Sequence, residues 1–536
     1  MNDIARTEPR GRDAASAAPA SGPAADPAAG AGAADANLYS RLAGCFPADR
    51  SACCIRTPGG ARLSWDDLER GTARMAGLLA SFGLPAGARV AAQVDKSPQA
   101  LMLYLAALRA GLCFLPLNNA YREAELDYFV GNAEPGVIVC APAAAAWVEP
   151  IGRRHGAART LTLDAAGGGS LAEAAAGLPD AFETVPRAAD DAAAILYTSG
   201  TTGRSKGAVL SHGNLWSNAA TLRHAWRWRR GDVLLHALPI FHVHGLFVAC
   251  HGALANGSET IWLDRFDAAE VARLLPEATV FMGVPTMYVR LLDEPGLTRE
   301  AARGVRLFVS GSAPLLADTF GAFERRTGHR ILERYGMSET VMLTSNPYDG
   351  NRVPGTVGPP LPGVSVRVVD PAGAPCAWGE VGDIQVRGPS VFSGYWRMPD
   401  KTAEEFTADG FFRTGDVGRF DANGYLSIVG RSKDLIITGG FNVYPKEIEA
   451  FIDELDGVAE SAVIGVPHHD FGEAVTAVVV PRAGASLDEA ALVAALKGRI
   501  AAFKVPKRVH VVPELPRNAM GKVQKNLLRE RFGAGG

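Results

Sequence analysis

The spacing of apolar residues along the chain predicts helices that alternate with buried strands. Apolar positions recur with the 3.6-residue period of a helix over 66–82 and again over 97–110. Short apolar runs with the length of buried strands lie at 89–94, 114–117 and 137–140. Strands that alternate with helices are typical of parallel sheets covered on both faces. The pattern therefore predicts an α/β fold with layered, mostly parallel sheets flanked by helices.

The pattern changes near residue 430, where a smaller α+β module begins. Strands are predicted at 433–438, 462–466 and 475–480, and helices at 444–455 and 487–502. A module of about 100 residues is large enough to fold as a separate domain. We therefore predict an N-terminal domain over 37–430, a hinge at 431–434 and a mobile C-terminal domain over 435–536.

Composition excludes several classes of protein. Residues 1–36 are rich in Ala and Pro and carry no aromatic residue, which predicts a disordered tail. The net charge of −3 argues against a dedicated nucleic-acid binder. The longest run without Asp, Glu, Lys or Arg, 233–258, contains four His and Pro239, which disfavours a membrane span. Seven Cys with no C-x-x-C pair indicate reduced thiols, so we expect a cytoplasmic protein without a membrane partner.

The first candidate for chemistry is the segment 195–207, ILYTSGTTGRSKG. Gly lets backbone N–H groups approach an anion, hydroxyl groups donate hydrogen bonds, and Lys206 adds positive charge. This combination suits a polyphosphate, although the segment does not match a Walker P-loop. A flexible polar linker is the alternative, and the residues of the loop alone leave both interpretations open.

Seven further motifs follow the loop in a fixed order. They are LPIFH at 238–242, SGSAP at 310–314, YGMSET at 335–340, RTGD at 413–416, GRSKD at 430–434, GGFNVYP at 439–445 and PRNAMGKVQ at 516–524. Together with the loop, this series resembles the ATP-dependent acyl-adenylate-forming (AMP-binding) enzymes, and the resemblance covers about residues 37–532. Ser205 and Ser338 stand where the family usually has Pro and Thr.

The resemblance implies how ATP would be held. Phosphate contacts are expected from Thr198, Ser199, Gly200, Thr201, Thr202, Gly203 and Lys206. Other nucleotide contacts are expected from Gly311, Ser312, Ala313, Arg334, Tyr335, Gly336, Met337 and Ser338. Asp416 is expected at the ribose, Arg431 at the ribose or a phosphate, and Glu339 with Thr198 at Mg²⁺. The catalytic residues implied are Lys522, Glu339, Thr198 and His242, with Lys522 neutralising charge where the carboxylate meets the α-phosphate.

The second step would transfer the acyl group to coenzyme A. The family rotates its C-terminal domain about a hinge, which matches Lys433, to move the lysine away. Gly439 and Gly440 match residues that line the path of the pantetheine arm. The P-x-x-x-x-G-K pattern around Lys522 resembles lysines acetylated in bacterial relatives, which predicts a lysine acetyltransferase as a partner.

The acid is expected to bind near His242, Thr286, Ser312 and Arg290. If Pro285 starts a helix, Thr286 and Arg290 share one face, and a buried Arg290 would need a carboxylate partner such as the distal group of a dicarboxylate. The motifs most closely resemble those of malonyl-CoA synthetases, which predicts malonate, with methylmalonate as a further substrate. A CoA ligase for another short acid and a carrier-loading adenylation protein are the alternatives.

Overall fold

A computed structural model describes residues 35–198, 205–438, 441–468, 472–497, 499–518 and 521–533. Three predicted features therefore lie outside the described residues: the tail up to residue 34, the loop residues 199–203, and the pair Gly439 and Gly440. Residues 35 and 36 of the predicted tail are described, and they hydrogen-bond to the main chain of Arg187.

The described residues form 24 strands. They are β1 (Cys53–Arg56), β2 (Arg62–Ser64), β3 (Arg89–Gln93), β4 (Cys113–Pro116), β5 (Val137–Cys140), β6 (Arg159–Thr162), β7 (Ala192–Thr198), β8 (Lys206–Ser211), β9 (Val233–His236), β10 (Glu259–Trp262), β11 (Val280–Gly283), β12 (Leu307–Ser310), β13 (Leu332–Met337), β14 (Val341–Ser345), β15 (Ser365–Val369), β16 (Gly382–Arg387), β17 (Gly394–Tyr395), β18 (Phe412–Phe420), β19 (Leu426–Arg431), β20 (Ile436–Thr438), β21 (Phe441–Val443), β22 (Val458–His468), β23 (Gly472–Pro481) and β24 (Arg508–Val511).

Helices connect most of these strands. The α-helices are α1 (Leu38–Ala43), α2 (Trp65–Ser81), α3 (Pro98–Arg109), α4 (Glu123–Ala133), α5 (Ala145–Arg154), α6 (Ser170–Ala175), α7 (His212–Ala225), α8 (His251–Leu254), α9 (Ala268–Leu274), α10 (Pro285–Asp293), α11 (Arg299–Ala302), α12 (Ala317–Thr327), α13 (Pro399–Glu405), α14 (Pro445–Asp453), α15 (Glu489–Lys497) and α16 (Lys525–Gly533). Short 3₁₀ helices lie at Pro142–Ala144, Leu275–Glu277 and Ser432–Asp434, and a π-helix at His244–Cys250.

Two large sheets form the frame of the N-terminal part. One has the order β14-β13-β12-β11-β9-β10-β1-β2 and the other β17-β8-β7-β4-β3-β5-β6. Their central strands pair in parallel, and antiparallel pairs lie at the edges. This confirms the predicted α/β fold with mostly parallel sheets flanked by helices. The largest apolar cluster joins residues of both sheets with α2, α3 and α7.

The two smaller sheets are largely antiparallel. The first, β15-β16-β18-β19, carries the RTGD and GRSKD motifs. The second is built entirely after residue 434, from β21-β20-β23-β22 with β24 beside β23, and has its own apolar core. The domain boundary at 431–434 stays a prediction, although the last sheet begins directly after it.

Local side-chain hydrogen bonds explain where two of the predicted elements begin. Helix α15 starts at 489, not at 487, because the Asp488 carboxylate accepts a hydrogen bond from the amide of Ala491 and so caps the helix. The strand predicted at 433–438 is wrong at its start. Ser432–Asp434 form a 3₁₀ turn, in which Ser432 donates to Asp383 and Asp434 accepts from Arg529. Among the described helices, none is both long and apolar enough to cross a bilayer.

Candidate active site

Three predicted nucleotide residues form a connected cluster at the antiparallel sheet. Strand pairing places Asp416 on β18 directly opposite Arg431 on β19. The Arg431 guanidinium lies 2.9 Å from the Asp416 carboxylate, and the Tyr335 hydroxyl donates to the other carboxylate oxygen at 2.5 Å. Asp416 is buried, and its charge raises the pKa of Arg431. The roles of these residues toward ribose and adenine stay predictions.

The ends of the predicted phosphate loop are held by a strand pair. Thr198 ends β7 and Lys206 begins β8, and the two residues are direct antiparallel partners. The Thr198 hydroxyl points to the carbonyl oxygen of Lys206 at 3.4 Å. The Lys206 ammonium lies 3.5 Å from the Glu405 carboxylate and 4.2 Å from the centre of the Tyr395 ring. The loop therefore leaves and re-enters the sheet at one point, with a cation at its base.

Glu339 is a buried carboxylate at the end of the YGMSE motif. Its Oε1 atom accepts a hydrogen bond from the Tyr395 hydroxyl at 3.0 Å, and burial raises the pKa of its carboxyl group. The Lys206 and Arg431 charges oppose that increase. A buried carboxylate that faces cations is a donor that Mg²⁺ accepts, as is the hydroxyl of Thr198.

The described residues contain no group of three or more His, Cys, Asp or Glu arranged around a common metal position. Mg²⁺ shared between one or two protein oxygens and phosphate oxygens does not need such a group. The donor set at Glu339 and Thr198 therefore fits a cation that arrives with a nucleotide.

Lys522 lies between β24 and α16, in a cleft beside the residues described above, close enough for the charges of Arg431, Asp416 and Glu339 to act on its ammonium group. Its side chain is exposed to solvent at the cleft, and the surrounding protein and the Arg431 charge lower the pKa of its ammonium group. Asp416, Asp434 and Glu339 act in the opposite direction. The neighbouring Gly521 lies against Thr286, since a Cβ atom at residue 521 would sit 3.4 Å from the Thr286 hydroxyl. The described arrangement thus brings Lys522 to the predicted nucleotide residues.

The predicted hinge lies beside these charges. Lys433 is exposed, but desolvation by the surrounding protein and the Arg431 charge lower the pKa of its ammonium group to about 8. The Ser432 hydroxyl donates to Asp383 of β16 at 2.8 Å, while Asp434 pairs with Arg529 of α16 at 2.7 Å. One side of the hinge segment is thus bound to the N-terminal part and the other side to the C-terminal part.

Two histidines, the half-buried His242 and the buried His244, lie next to the Arg334 charge. Burial, followed by Arg334 and Lys522, lowers the pKa of His242 to about 4, and the pKa of His244 is held well below its usual value. Both rings are therefore neutral near pH 7. His244 Nδ1 lies 3.4 Å from the Ser312 hydroxyl, and Ser312 has a φ of +70°. A non-glycine residue with positive φ is uncommon and often lies at a functional site.

Arg334 occupies an unexpected place. Its side chain is buried, its Nε and Nη2 atoms have no hydrogen-bond partner, and burial lowers its pKa to about 9. The guanidinium packs against Gly311, where a Cβ atom would overlap it, and its charge acts on His242 and His244. The sequence assigned Arg334 to the nucleotide. The structure places the guanidinium in the histidine pocket predicted for the acid.

The expectation of a buried Arg290 is wrong. Pro285 does start α10, and Thr286 and Arg290 share a face of it as predicted, but the Arg290 side chain is exposed. Helix α10 presents its deeper face through Tyr288, whose hydroxyl donates to the carbonyl of Val309 at 2.7 Å. The argument from an uncompensated buried charge therefore applies to Arg334. A role for Arg290 in binding the acid stays a prediction.

The remaining motif residues surround these groups. Gly311, Ser312 and Ala313 follow β12 directly, and Gly336 and Met337 end β13. A Cβ atom at Gly336 would overlap the carbonyl oxygen of Val341, so this turn requires glycine. Ser338 lies half-buried in the turn before Glu339.

Sequence reasoning did not select Tyr395 or Glu405, and it did not foresee that the Arg334 charge acts on His242 and His244. Tyr395 lies 56 residues beyond Glu339 in the chain, and no local pattern joins them. A signal for Arg334 did exist. Adjacent residues of a strand point to opposite faces, so the side chains of Arg334 and Tyr335 on β13 point to opposite sides of the sheet.

Comparison with known proteins places these features in a family. The AMP-binding enzyme model matches residues 40–396, and the model of the AMP-binding enzyme C-terminal domain matches residues 447–522. A malonate–CoA ligase from Arabidopsis thaliana is 37% identical over 481 residues, covering 84% of this chain and 79% of the relative.

Solved structures show the same similarity at the level of coordinates. The ATP-bound crystal structure of MatB from Rhodopseudomonas palustris is 56% identical, covers 93% of this chain and 99% of its own, and superposes with a TM-score of 0.91. The apo structure of the same protein has the same identity and coverage and a TM-score of 0.81. The described arrangement of this chain is thus more similar to the ATP-bound form.

Proposed function

This chain belongs to the AMP-binding enzyme family, and from that membership we propose that it is a malonate–CoA ligase. Malonate and ATP give malonyl-AMP and pyrophosphate, and coenzyme A then gives malonyl-CoA and AMP. The similarity to the Arabidopsis malonate–CoA ligase and to MatB supports this proposal. Methylmalonate is proposed as a further substrate of the same pocket.

The observation that carries the choice of acid is the unpartnered Arg334. A buried guanidinium without a partner is costly, because the charge has lost its hydration and gained nothing in exchange. A dicarboxylate would offset this cost by placing its distal carboxylate against the guanidinium, which requires the groups that cover Nε and Nη2 to move aside. A monocarboxylate such as acetate would leave the charge unpaired. His244 and Ser312 offer polar atoms beside the same position.

In the first step, an oxygen of the malonate carboxylate attacks the α-phosphorus of ATP, and the bond to the pyrophosphate oxygen breaks. Two anions must approach each other, so the residues around them have to neutralise charge. We propose that Lys522 does so at the α-phosphate, with Lys206 and the loop residues 199–203 at the outgoing phosphates. Asp416 would hold the ribose. His242, neutral because its pKa is about 4, would orient the reacting carboxylate without adding a charge.

Mg²⁺, held by Glu339 and Thr198, would supply further neutralisation of the phosphates. Glu339 fits this role because its carboxylate is buried, accepts a hydrogen bond from Tyr395 and faces the Lys206 and Arg431 charges. The contribution of the protein is to keep this carboxylate oriented in a site from which water is largely excluded.

In the second step, the thiol of coenzyme A gives its proton to solvent, and its sulfur attacks the acyl carbon. The bond between that carbon and the phosphate oxygen breaks, and AMP leaves with the electron pair. We propose that a rotation about Lys433 first withdraws Lys522 and then presents Gly439 and Gly440 to the pantetheine arm. The hydrogen bond from Ser432 to Asp383 would break during that rotation. A lysine acetyltransferase that modifies Lys522 is part of the same proposal, since the side chain is exposed at the cleft.

The experiment that tests the function measures AMP formation from ATP, Mg²⁺ and coenzyme A with malonate, methylmalonate, acetate or octanoate. The thioester formed is identified by its mass. We expect strong turnover with malonate and little with acetate or octanoate. Preferred turnover of a monocarboxylate would retain the CoA ligase and overturn the dicarboxylate. Formation of an acyl-adenylate without thioester would instead favour a carrier-loading adenylation protein.

A further inference from the structure

Tyr395 connects the two ends of the predicted triphosphate site. It lies in β17, a strand of two residues that pairs antiparallel with β8, and its partner there is Ala208. Lys206, at the base of the phosphate loop, is only two residues away from that partner. The next residue, Trp396, donates its backbone amide to the carbonyl of Gly207 at 2.7 Å. The segment that carries Tyr395 is thus fixed to the strand that leaves the phosphate loop.

The hydroxyl group of Tyr395 acts at the other end of the site. It donates to Glu339 Oε1 at 3.0 Å, and both side chains are buried. The same segment also holds the main chain of Glu339, because the amide of Phe392 donates to the Glu339 carbonyl at 2.7 Å. Backbone and carboxylate of Glu339 are therefore both positioned by residues 392–395.

The ring of Tyr395 acts on the cation. The Lys206 ammonium lies 4.2 Å from the ring centre, within the range of a cation–π interaction. Glu405 approaches the same ammonium at 3.5 Å and also pairs with Lys401 at 3.1 Å. The ring and Glu405 together keep the ammonium beside the base of the loop.

We propose that Tyr395 is a positioning residue for the Mg²⁺-bound triphosphate. Its hydroxyl orients the Glu339 carboxylate toward the cation, and its ring holds Lys206 toward the phosphates. The inference rests on the proposed use of ATP and adds a residue that acts through two others. It does not depend on which acid the enzyme activates.

The two contacts can be separated by substitution. Tyr395→Phe removes the hydroxyl and keeps the ring, so only the orientation of Glu339 is lost. Tyr395→Leu removes both. Tyr425→Phe is the matched control, because the Tyr425 hydroxyl also makes one hydrogen bond, to the Asn351 carbonyl at 2.8 Å, but lies away from this site.

The test is calorimetric binding of ATP to the full chain without any acid, once with excess Mg²⁺ and once with a chelator. For Tyr395→Phe we expect Mg²⁺–ATP binding to weaken about tenfold, because the lost hydrogen bond was made to a charged group. ATP binding in chelator should change by less than about twofold, since the ring still holds Lys206. For Tyr395→Leu, binding in chelator should also weaken, by about two- to fivefold.

A double-mutant cycle with Glu339→Gln adds a second readout. If Tyr395 acts through Glu339, Tyr395→Phe has little further effect on Mg²⁺–ATP binding once the carboxylate is gone. Equal weakening of ATP binding with and without Mg²⁺ in Tyr395→Phe would show a general structural role and overturn the inference. Wild-type affinity in Tyr395→Phe would overturn it as well. Absence of Mg²⁺–ATP binding in the wild type would overturn the proposed function itself.

Discussion

Replacing Arg334 with Met distinguishes a role of this residue in binding the acid from a role in stabilising the fold. Methionine has a similar length and no charge, so it can fill the space beside Gly311 without a buried cation. If the guanidinium binds the distal carboxylate of malonate, the variant loses the acid. If the guanidinium only supports the fold, the variant loses stability. In the first case, removing the buried charge raises the free energy of unfolding of the ligand-free protein, and in the second case it lowers that free energy.

The magnitudes follow from the burial of the charge. The pKa of Arg334 is lowered to about 9, and the gap from the ordinary guanidinium value corresponds to about 5 kcal/mol of lost solvation. Relaxation reduces this figure, and apolar replacements of buried charged groups stabilise proteins by about 1–4 kcal/mol. We therefore expect Arg334→Met to raise the free energy of unfolding by about 1–4 kcal/mol. Loss of the ion pair with malonate should cost about 3–5 kcal/mol, which lowers kcat/KM by about 10²–10⁴-fold.

Two assays on the same preparations measure both effects. Denaturant unfolding without ligand gives the stability, and AMP release with malonate or acetate gives kcat/KM for each acid. Arg290→Met is the matched control, because its guanidinium is exposed and lies on α10. We expect that control to leave the free energy of unfolding unchanged.

One combination of results would refute the reasoning. If Arg334→Met destabilises the free protein and retains the ratio of malonate to acetate activity, Arg334 is a structural residue. If Arg290→Met alone abolishes malonate activity, the original prediction from the sequence holds and the acid is bound at the exposed face of α10.

Three further predictions concern other parts of the molecule. Lys522→Ala, or acetylation of Lys522, should lower acyl-AMP formation by about 10²–10³-fold while thioester formation from preformed malonyl-AMP is retained, and equal loss of both steps would contradict the proposed role. Gly311→Ala should raise KM for malonate about tenfold, because the added Cβ overlaps the Arg334 guanidinium, and an equal rise in KM for ATP would assign Gly311 to the nucleotide instead. His251, buried and hydrogen-bonded to Tyr104, has a pKa of about 3, so the folded protein keeps it neutral while the unfolded chain takes up a proton below about pH 6.5. Stability is therefore lost as pH falls, and His251→Asn should remove about 2 kcal/mol of the loss between pH 7 and pH 5, as measured by denaturant unfolding.

The fold could be predicted from the sequence wherever local rules decided the structure. Ser97 caps α3 and Pro285 starts α10, so the periodic pattern and the capping residues agreed with the helices that form. The antiparallel sheet β15-β16-β18-β19 was not predicted. Its strands pair with neighbouring strands along the chain, as Phe420 does with Leu426, but periodicity alone does not choose the partner of a strand.

In the candidate site, too, local motifs identified residues but did not reveal the contacts between them. Asp416 and Arg431 came from motifs 15 residues apart, and the strand pairing that joins them was not visible in either motif. Arg290 was predicted to be buried because helix spacing gives a shared face but not the depth of that face. Exposure depends on what packs against the helix, which is a tertiary property.

The position of Arg431 gives the hinge a fixed end. Asp416 clamps Arg431 at the last residue of β19, and Lys433 follows only two residues later. A rotation at Lys433 would therefore start next to a residue that its ion pair with Asp416 holds in place at the predicted nucleotide site. The C-terminal part could rotate through a large angle while the position of the rotation axis stays fixed. A fixed axis would let two different faces of the C-terminal part reach the same reacting atoms with little loss of alignment.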